Sequence, residues 1–591
     1  IETLKSTLVE EIIVVSLIIL LFLWHLPSAT TAIITIPVSV FLAFIPLYLT
    51  GQTSNIMSLA GIAISIGVLV DGAIVQVENM YHRIQIWMES GQKEPFEEVR
   101  LRALTEVGSS VFFSLLVIAV SFMPIFTLVD QEGRLFKPLA YSKNFAMAIA
   151  ALLALTLDPA IRMMYNRYEF FRFRPAWLAT FMSHLLVGRY YKEENHPVSR
   201  VLFRFYEPAC NFVLKHRKAT LATAVLLMIS TIPIYGKLGS EFMPPLNEGA
   251  ILYMPVSLPG ISIGEAKRSL QIQDRMLREF PEVERVFGKV GRADSATDPA
   301  PLSMVETVIV LKPESQWREV KRWYSFLPEW SKEPFRRVWR DRITYEELVQ
   351  EMDQKIRIPG WTNAWTMPIK NRIDMLSTGI RTPVGIKISG SDIKEIEKIG
   401  LELETIVKEV PGTRSVYAER VAGGYFLDFN LKREELARYG LTVDDALTIV
   451  ESAIGGENLS TTVEGRRRFP INIRYAREFR ETLPDLKRIL VSTPSGAQIP
   501  ISYIAEVRFN SGPSMIRDED GLLSGYVYID IAGRDIGSYV EDAKKLVNSK
   551  LKLPQGTTVR FSGQYENMLR VRERLLVVVP LTLFLILVLM Y

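Results

Sequence analysis

From Ile12 to Val70 the chain holds no Asp, Glu, Lys or Arg. A helix crosses roughly 30 Å of hydrocarbon with about 20 apolar residues, so an uncharged run of this length contains more than one crossing. Pro27-Ser28 and the polar stretch from Thr50 to Asn55 punctuate it into helices expected at 10–26, 31–50 and 56–79. A fourth run, Val107–Val129, is also charge-free. A fifth spans 138–162, a sixth 219–236, and a seventh starts at Leu575. Core helices of soluble proteins keep a polar face, and these runs have almost none. The chain reads as an integral membrane protein in a lipid bilayer.

Loop charges orient it. Residues 162–218 carry eleven Lys/Arg against four Asp/Glu, an excess that favours the cytoplasmic side. The loop after the third run then falls on the same side. Residues 51–55 and the long segment 238–570 fall outside. No signal peptide is visible. The chain does not begin with Met and stops within an apolar helix, so it reads as a fragment.

The overall 48% hydrophobic and 23% charged residues average over two unlike parts, because 238–570 is charged and rich in turn signals. Gly249–Val256 reads as a strand, Ile263–Phe280 as an amphipathic helix and Met304–Leu311 as a strand. The cycle recurs at 384–390, 393–410 and 413–420, and again at 523–532, 538–551 and 557–562. Such cycles predict α+β units with helices on one face of an antiparallel sheet. Residues 314–344, with four tryptophans among eight Lys/Arg, read as a solvated helical hairpin with a small aromatic core, or as a contact surface for a partner or the membrane.

Asp71 is the only charge between Ile12 and Val77. An ionised group within a membrane helix costs about 2.5–3.5 kcal/mol on insertion scales, so such groups face protein or a water path. Glu78 lies two turns on, on the same helix face. Two readings stay open for Asp71: a proton carrier, or a salt-bridge partner for a neighbouring helix. Glu78 is either the next step of a proton route or a solvated interfacial residue. Asp158, beside Pro159, reads as an interfacial helix end.

Other chemistries are excluded by what is missing. There is no G-x-x-x-x-G-K-[ST] phosphate loop and no H-E-x-x-H. The lone Cys210 excludes an internal disulfide and any multi-cysteine metal site. A net charge of +4 gives no warrant for nucleic acid. Segment 238–570 has no His and no Cys but nine methionines. Thioethers suit soft ions such as Cu(I) and Ag(I), although each methionine by itself reads equally as a flexible core filler.

The strings GVLVDGAIVQVEN (67–79), LYMPVSLPGIS (252–262), TDPAPLSMVET (297–307) and NRIDMLSTGI (371–380) resemble the heavy-metal efflux branch of the resistance–nodulation–division (RND) superfamily, above all its CusA-type copper/silver exporters. The similarity runs along essentially the whole chain. It implies that Met254, Met304 and Met375 bind metal in a periplasmic cleft, with Glu306 associated with the same site. It also implies that Asp71 falls at the proton-relay aspartate, and that Met57 feeds metal from the membrane side. Divalent-ion exporters carry a second aspartate six residues before the first; here that position is Ser65, which favours monovalent ions. Leu69, Gln76 and Asn458 stand where such exporters can carry further methionines, which counts against a methionine relay through the membrane.

The resemblance further implies a secondary active transporter, a cation/proton antiporter, and no enzyme, with no cofactor beyond the transported Cu(I)/Ag(I). The expected architecture is an α-helical multi-pass membrane domain plus α+β periplasmic porter and docking subdomains. Residues 1–165 would be transmembrane helices two to six, 166–218 a cytoplasmic basic linker and 219–237 helix seven. Residues 238–417 and 505–572 would be porter, 418–504 docking, and 573–591 the start of helix eight. The family pattern adds a homotrimer in the cell inner membrane, joined by a periplasmic adaptor and an outer-membrane channel. Competing readings are a divalent (Zn/Co/Ni) pump, a multidrug exporter of the same superfamily, and a non-transporting membrane scaffold or sensor.

Overall fold

The computed structural model describes residues 2–23, 25–169, 174, 176–177, 179, 182–183, 187, 197–242, 247–291, 300–336, 338–513 and 515–591. Much of the basic segment expected at 166–218 lies outside the described residues, as do 297–299 of the TDPAPLSMVET string. The chain divides into a helical unit, residues 1–237 with 569–591, and an α+β unit, residues 238–568.

The helical unit contains α1 (Glu2–Leu23), α2 (Leu26–Leu49), α3 (Ile56–Glu89), α4 (Phe96–Ser121), α5 (Met123–Phe126), α6 (Asp130–Leu155), α7 (Leu157–Tyr165), α8 (Pro197–Lys215) and α9 (Arg217–Lys237). Among the described residues, six helices are long and apolar enough to cross a membrane, including one over Gln564–Met590. Several helices outrun the expected segments, because charge ends a membrane span without ending a helix. Thus α3 continues ten residues past Asn79 and is tied to α4 by Arg83–Glu106 at 2.5 Å. Pro27 does not break the first pair where expected. It occupies the first turn of α2, where its missing N–H is harmless, and His25 caps that turn. The fifth run is two helices. Pro159 cannot donate back across Thr156, and the chain bends there between α6 and α7.

Small residues bring the central helices together. Ala73 of α3, Ala29 and Ala32 of α2, and Ala150, Ala151 and Ala154 of α6 share one buried core with Ile62, Ile66 and Met147. A Cβ on Gly61 would stand 2.4 Å from the Leu139 carbonyl oxygen of α6.

In the α+β unit, β1 (Ala250–Tyr253), β3 (Val283–Val290), β4 (Val305–Leu311) and β6 (Trp365–Thr366) form an antiparallel sheet ordered β3-β4-β1-β6. Leu277 of the Ile263–Arg278 helix and Leu348, Val349 and Met352 of the Tyr345–Lys355 helix fill its core. The expected strand over 249–256 is interrupted at Met254-Pro255, then resumes as β2 (Val256–Ser257), which pairs β5 (Trp361–Thr362).

A second antiparallel sheet is built on β16 (Leu522–Ile531), flanked by β7 (Val384–Gly390) and β8 (Thr413–Ala418), with β17 (Thr558–Gly563) beyond β7. The Ile393–Lys408 and Ile536–Lys550 helices each bury one face. Residues 424–512 carry a separate core. There β9 (Gly424–Leu431) pairs β14 (Ala505–Gly512), and Leu436, Ile489, Ile501 and Val507 are buried. The hairpin of β10 (Glu457–Glu464) and β11 (Arg467–Ile473) is exposed throughout and carries Asn458.

Segment 314–344 is no helical hairpin. Among its described residues there is a single α-helix, Glu329–Arg336. The expected aromatic core is present: Trp323 meets Phe335 and Trp339 edge-to-face at 5.2 and 5.4 Å. Residues 314–327 go instead into a 3-10 turn at Glu314–Gln316 and an antiparallel bridge from Glu319 to Arg342.

Candidate functional site

Three methionines far apart in sequence meet in the α+β unit. β1 stops just before Met254 because Pro255 has no N–H to continue the ladder; the Met254 N–H donates to the Ala364 carbonyl at 2.9 Å. Met304 precedes β4 and bridges to Val256. Met375 lies in the helix Pro368–Thr378, whose first free N–H groups, Ile369 and Lys370, donate to the Glu248 carboxylate at 2.7 and 2.8 Å. An anion at a helix N-terminus is favourable, so Glu248 pins this helix beside β1. The three methionines form one cluster with Leu252, Ala300 and Ala364.

Their sulfurs are already engaged. Asn371 stands one turn before Met375 on the same helix face. Its Nδ2 donates to Met254 Sδ and to Met375 Sδ, each at 3.2 Å. The two sulfurs are therefore separated by no more than twice that distance. Arg381 Nη1 donates to Met304 Sδ at 3.3 Å.

Met304 and Met375 face a cavity of about 130 Å³ that Arg381, Tyr417, Glu419, Arg517 and Met515 also line. Met515 is a fourth thioether that sequence reasoning passed over, since nothing in its spacing sets it apart. Most charge in this wall is balanced. Arg517 pairs with Glu419 at 2.5 Å, and Tyr528 donates to the same carboxylate at 2.8 Å. Behind Met375, burial pushes the Asp374 carboxyl up, opposed by the ammonium of Lys370 at 2.8 Å.

Glu306 alternates with Met304 along the chain, yet its carboxylate binds Lys289 of the neighbouring strand at 2.9 Å and is not among the cavity walls. The described residues hold no group of three His, Cys, Asp or Glu able to take a metal ion. The donors that cluster there are thioethers.

In the helical unit, Asp71 and Glu78 are exposed on α3, away from its buried face, and Met57 is half-buried in the first turn. Asp158 stands at a helix end, in the first turn of α7, but it is not solvated there. It is 2% exposed and bound to a fully buried Arg162 one turn on. The bend at Thr156 turns both side chains inward. Thr35 of α2 donates to Asp158 at 3.2 Å, and Arg162 donates to the Ala73 carbonyl of α3 at 3.1 Å. Beside them a cavity of about 20 Å³ is lined by Thr35, Ser39, Gln76 and Asp158.

Comparison with known proteins bears on the whole chain. It is 41% identical over 596 residues to the cation efflux system protein CusA of Escherichia coli (strain K12), covering 100% of this chain and 53% of that protein. The putative cation efflux system protein SilA of Salmonella typhimurium is equally similar, at 41% over the same lengths. The cobalt-zinc-cadmium resistance protein CzcA of Cupriavidus metallidurans is 30% identical over 603 residues, 52% of its length. The chain thus spans about half the length of the curated relatives it matches. A crystal structure titled as a heavy metal efflux pump superposes with a TM-score of 0.77 at 25% identity, covering 100% of this chain and 54% of that one. Residues 1–591 match the AcrB/AcrD/AcrF family, and the chain belongs to that family of RND transporters.

Proposed function

We propose that this chain is part of a proton-driven exporter of soft monovalent metal ions, Cu(I) or Ag(I), with Met254, Met304 and Met375 as the cargo site. The observation that carries the reading is the convergence of two of these sulfurs on one amide nitrogen, with the third in the same cluster. Thioethers carry no proton, so they bind soft ions without releasing one. They also hold less tightly than thiolates, which suits a carrier that must let go. Release then follows from movement that separates the sulfurs, driven by protonation of Asp71, with Glu78 on the same helix face as the next proton site. Met57 admits metal from the membrane side, and Glu306 contributes charge near the cleft.

The same reading gives 238–417 and 505–572 as porter and 418–504 as docking subdomains on the periplasmic side of the inner membrane. The working assembly is a homotrimer joined to a periplasmic adaptor and an outer-membrane channel. A divalent-ion pump is the second reading, favoured by the resemblance to CzcA. Ser65, bonded to the Ile62 carbonyl at 2.6 Å, stands against it, because it offers no second carboxylate near Asp71. Titration of the purified chain with Ag(I) and with Zn(II) separates the two. Tight Ag(I) binding that is lost on combined Met→Leu change at 254, 304 and 375 is expected. Ag(I) binding that survives the triple change sinks the assignment.

A further inference from the structure

An amide stands where a cation between Met254 and Met375 has to go. Asn371 is 4% exposed. Its Nδ2 donates to both sulfurs, while its Oδ1 is buried with no hydrogen-bond partner among the described residues. A buried carbonyl oxygen left unpaired is unusual and calls for a reason.

We propose that Asn371 is a fourth metal ligand, through Oδ1. The inference rests on the methionine reading and extends it. Sulfur is a weak acceptor, so the two N–H···S bonds yield easily to a stronger partner. A soft cation lodged between the sulfurs meets the partly positive amide hydrogens head-on, which repels it. A half-turn about χ2 removes the conflict, since the terminal torsion of Asn is broad and nearly two-fold and the amide's N and O have almost the same shape. No hydrogen bond to a described residue has to break at Oδ1. The turned amide then presents its oxygen to the ion, and the site changes from three sulfurs to three sulfurs and one oxygen. The same group links the two sulfurs in one rotamer and joins the ligand set in the other.

Met254 is enclosed and Met375 lines the cavity, so Asn371 stands between the inner sulfur and the space through which an ion arrives. Its position in the helix pinned by Glu248 sets the amide against both sulfurs at once.

X-ray absorption at the copper edge of the full Cu(I)-loaded chain tests this. A sulfur shell with one short oxygen-or-nitrogen scatterer is expected. Asn371→Leu should keep the sulfur shell, lose the light scatterer and weaken Cu(I) binding about tenfold or more. Asn371→Asp should retain the light scatterer, showing that an oxygen at this position suffices and that a substituted chain still folds. A sulfur-only spectrum in the unsubstituted chain overturns the proposal while leaving the methionines in place. So does a light scatterer that persists in Asn371→Leu. A spectrum without sulfur overturns the methionine reading and this inference with it.

Discussion

Arg162 reaches back one helical turn to Asp158, with Nη2 and Nε at 2.7 and 2.8 Å from the same carboxylate oxygen, and neither side chain is open to solvent. The pair sits where three helices meet, held by Thr35 of α2 and by the Ala73 carbonyl of α3. Removing one member strands a buried charge, which costs about 3–5 kcal/mol; replacing both with apolar groups of similar volume is often neutral. Asp158→Leu and Arg162→Met should therefore each lower the thermal midpoint of the detergent-solubilised chain sharply, and the double substitution should recover most of the loss. A double variant as unstable as the worse single one contradicts this account.

Gly61 limits how closely α3 and α6 approach. An added Cβ would lie 2.4 Å from the Leu139 carbonyl oxygen and 2.2 Å from Ser142 Oγ. The serine can rotate away, but the backbone oxygen cannot. Overpacking of this kind costs about 1–3 kcal/mol. Gly61→Ala should lower the thermal midpoint, whereas Gly67→Ala, where the new carbon meets nothing within 4 Å among the described residues outside its own helix backbone, should leave it unchanged or raise it slightly. Equal effects at the two positions would refute the packing argument.

The contrast between these helices and the strands explains what the sequence made legible. Val384–Gly390 and Thr558–Gly563 alternate or concentrate β-branched residues between turn signals, and the strands end where that pattern ends. Helix limits such as Glu89 were hidden, because apolarity marks the bilayer and not the hydrogen-bond ladder. The helix end at Asp158 was legible from the neighbouring proline, but its burial was not, because the bend there directs the carboxylate inward. Met254, Met304 and Met375 came from resemblance alone, since only the fold brings residues so distant in sequence together. Asn371 and Met515 had no such guide: their roles arise from a helix face and a cavity wall that exist only after folding.

Asp530 makes the α+β unit sensitive to pH. It is 2% exposed, accepts the Trp365 N–H at 3.3 Å and lies 3.5 Å from Arg414. Burial outweighs the guanidinium and pushes the carboxyl up to about 6. The folded chain thus keeps a proton that the unfolded chain gives up near pH 4. Stability should fall as pH rises from about 4 to 6 and then level off, by roughly 3 kcal/mol from this residue. Urea midpoints read by tryptophan fluorescence across that range check it. Asp530→Asn should flatten the slope; an unchanged slope would assign it elsewhere.

Arg381 is the cation that the site does not balance. It is 8% exposed, lies 3.3 Å from Met304 Sδ, and stacks its guanidinium 3.9 Å from the centre of the Tyr528 ring. Arg420 and Arg517 in the same wall pair with Glu404 and Glu419, whereas among the described residues no carboxylate lies within ion-pair distance of Arg381. A monovalent metal ion on Met304 would stand next to this charge. At an effective dielectric near 20, two like charges about 5 Å apart repel by about 3 kcal/mol. Part of that is relieved if the arginine swings away on loading, so Arg381→Gln should tighten Ag(I) binding by about tenfold, equivalent to about 1.4 kcal/mol. Arg381→Lys keeps the charge and should stay close to the original affinity. Isothermal titration of the three chains decides the matter: weaker binding in Arg381→Gln, with an unchanged thermal midpoint, would mean that the arginine holds Met304 in place for the metal instead of opposing it.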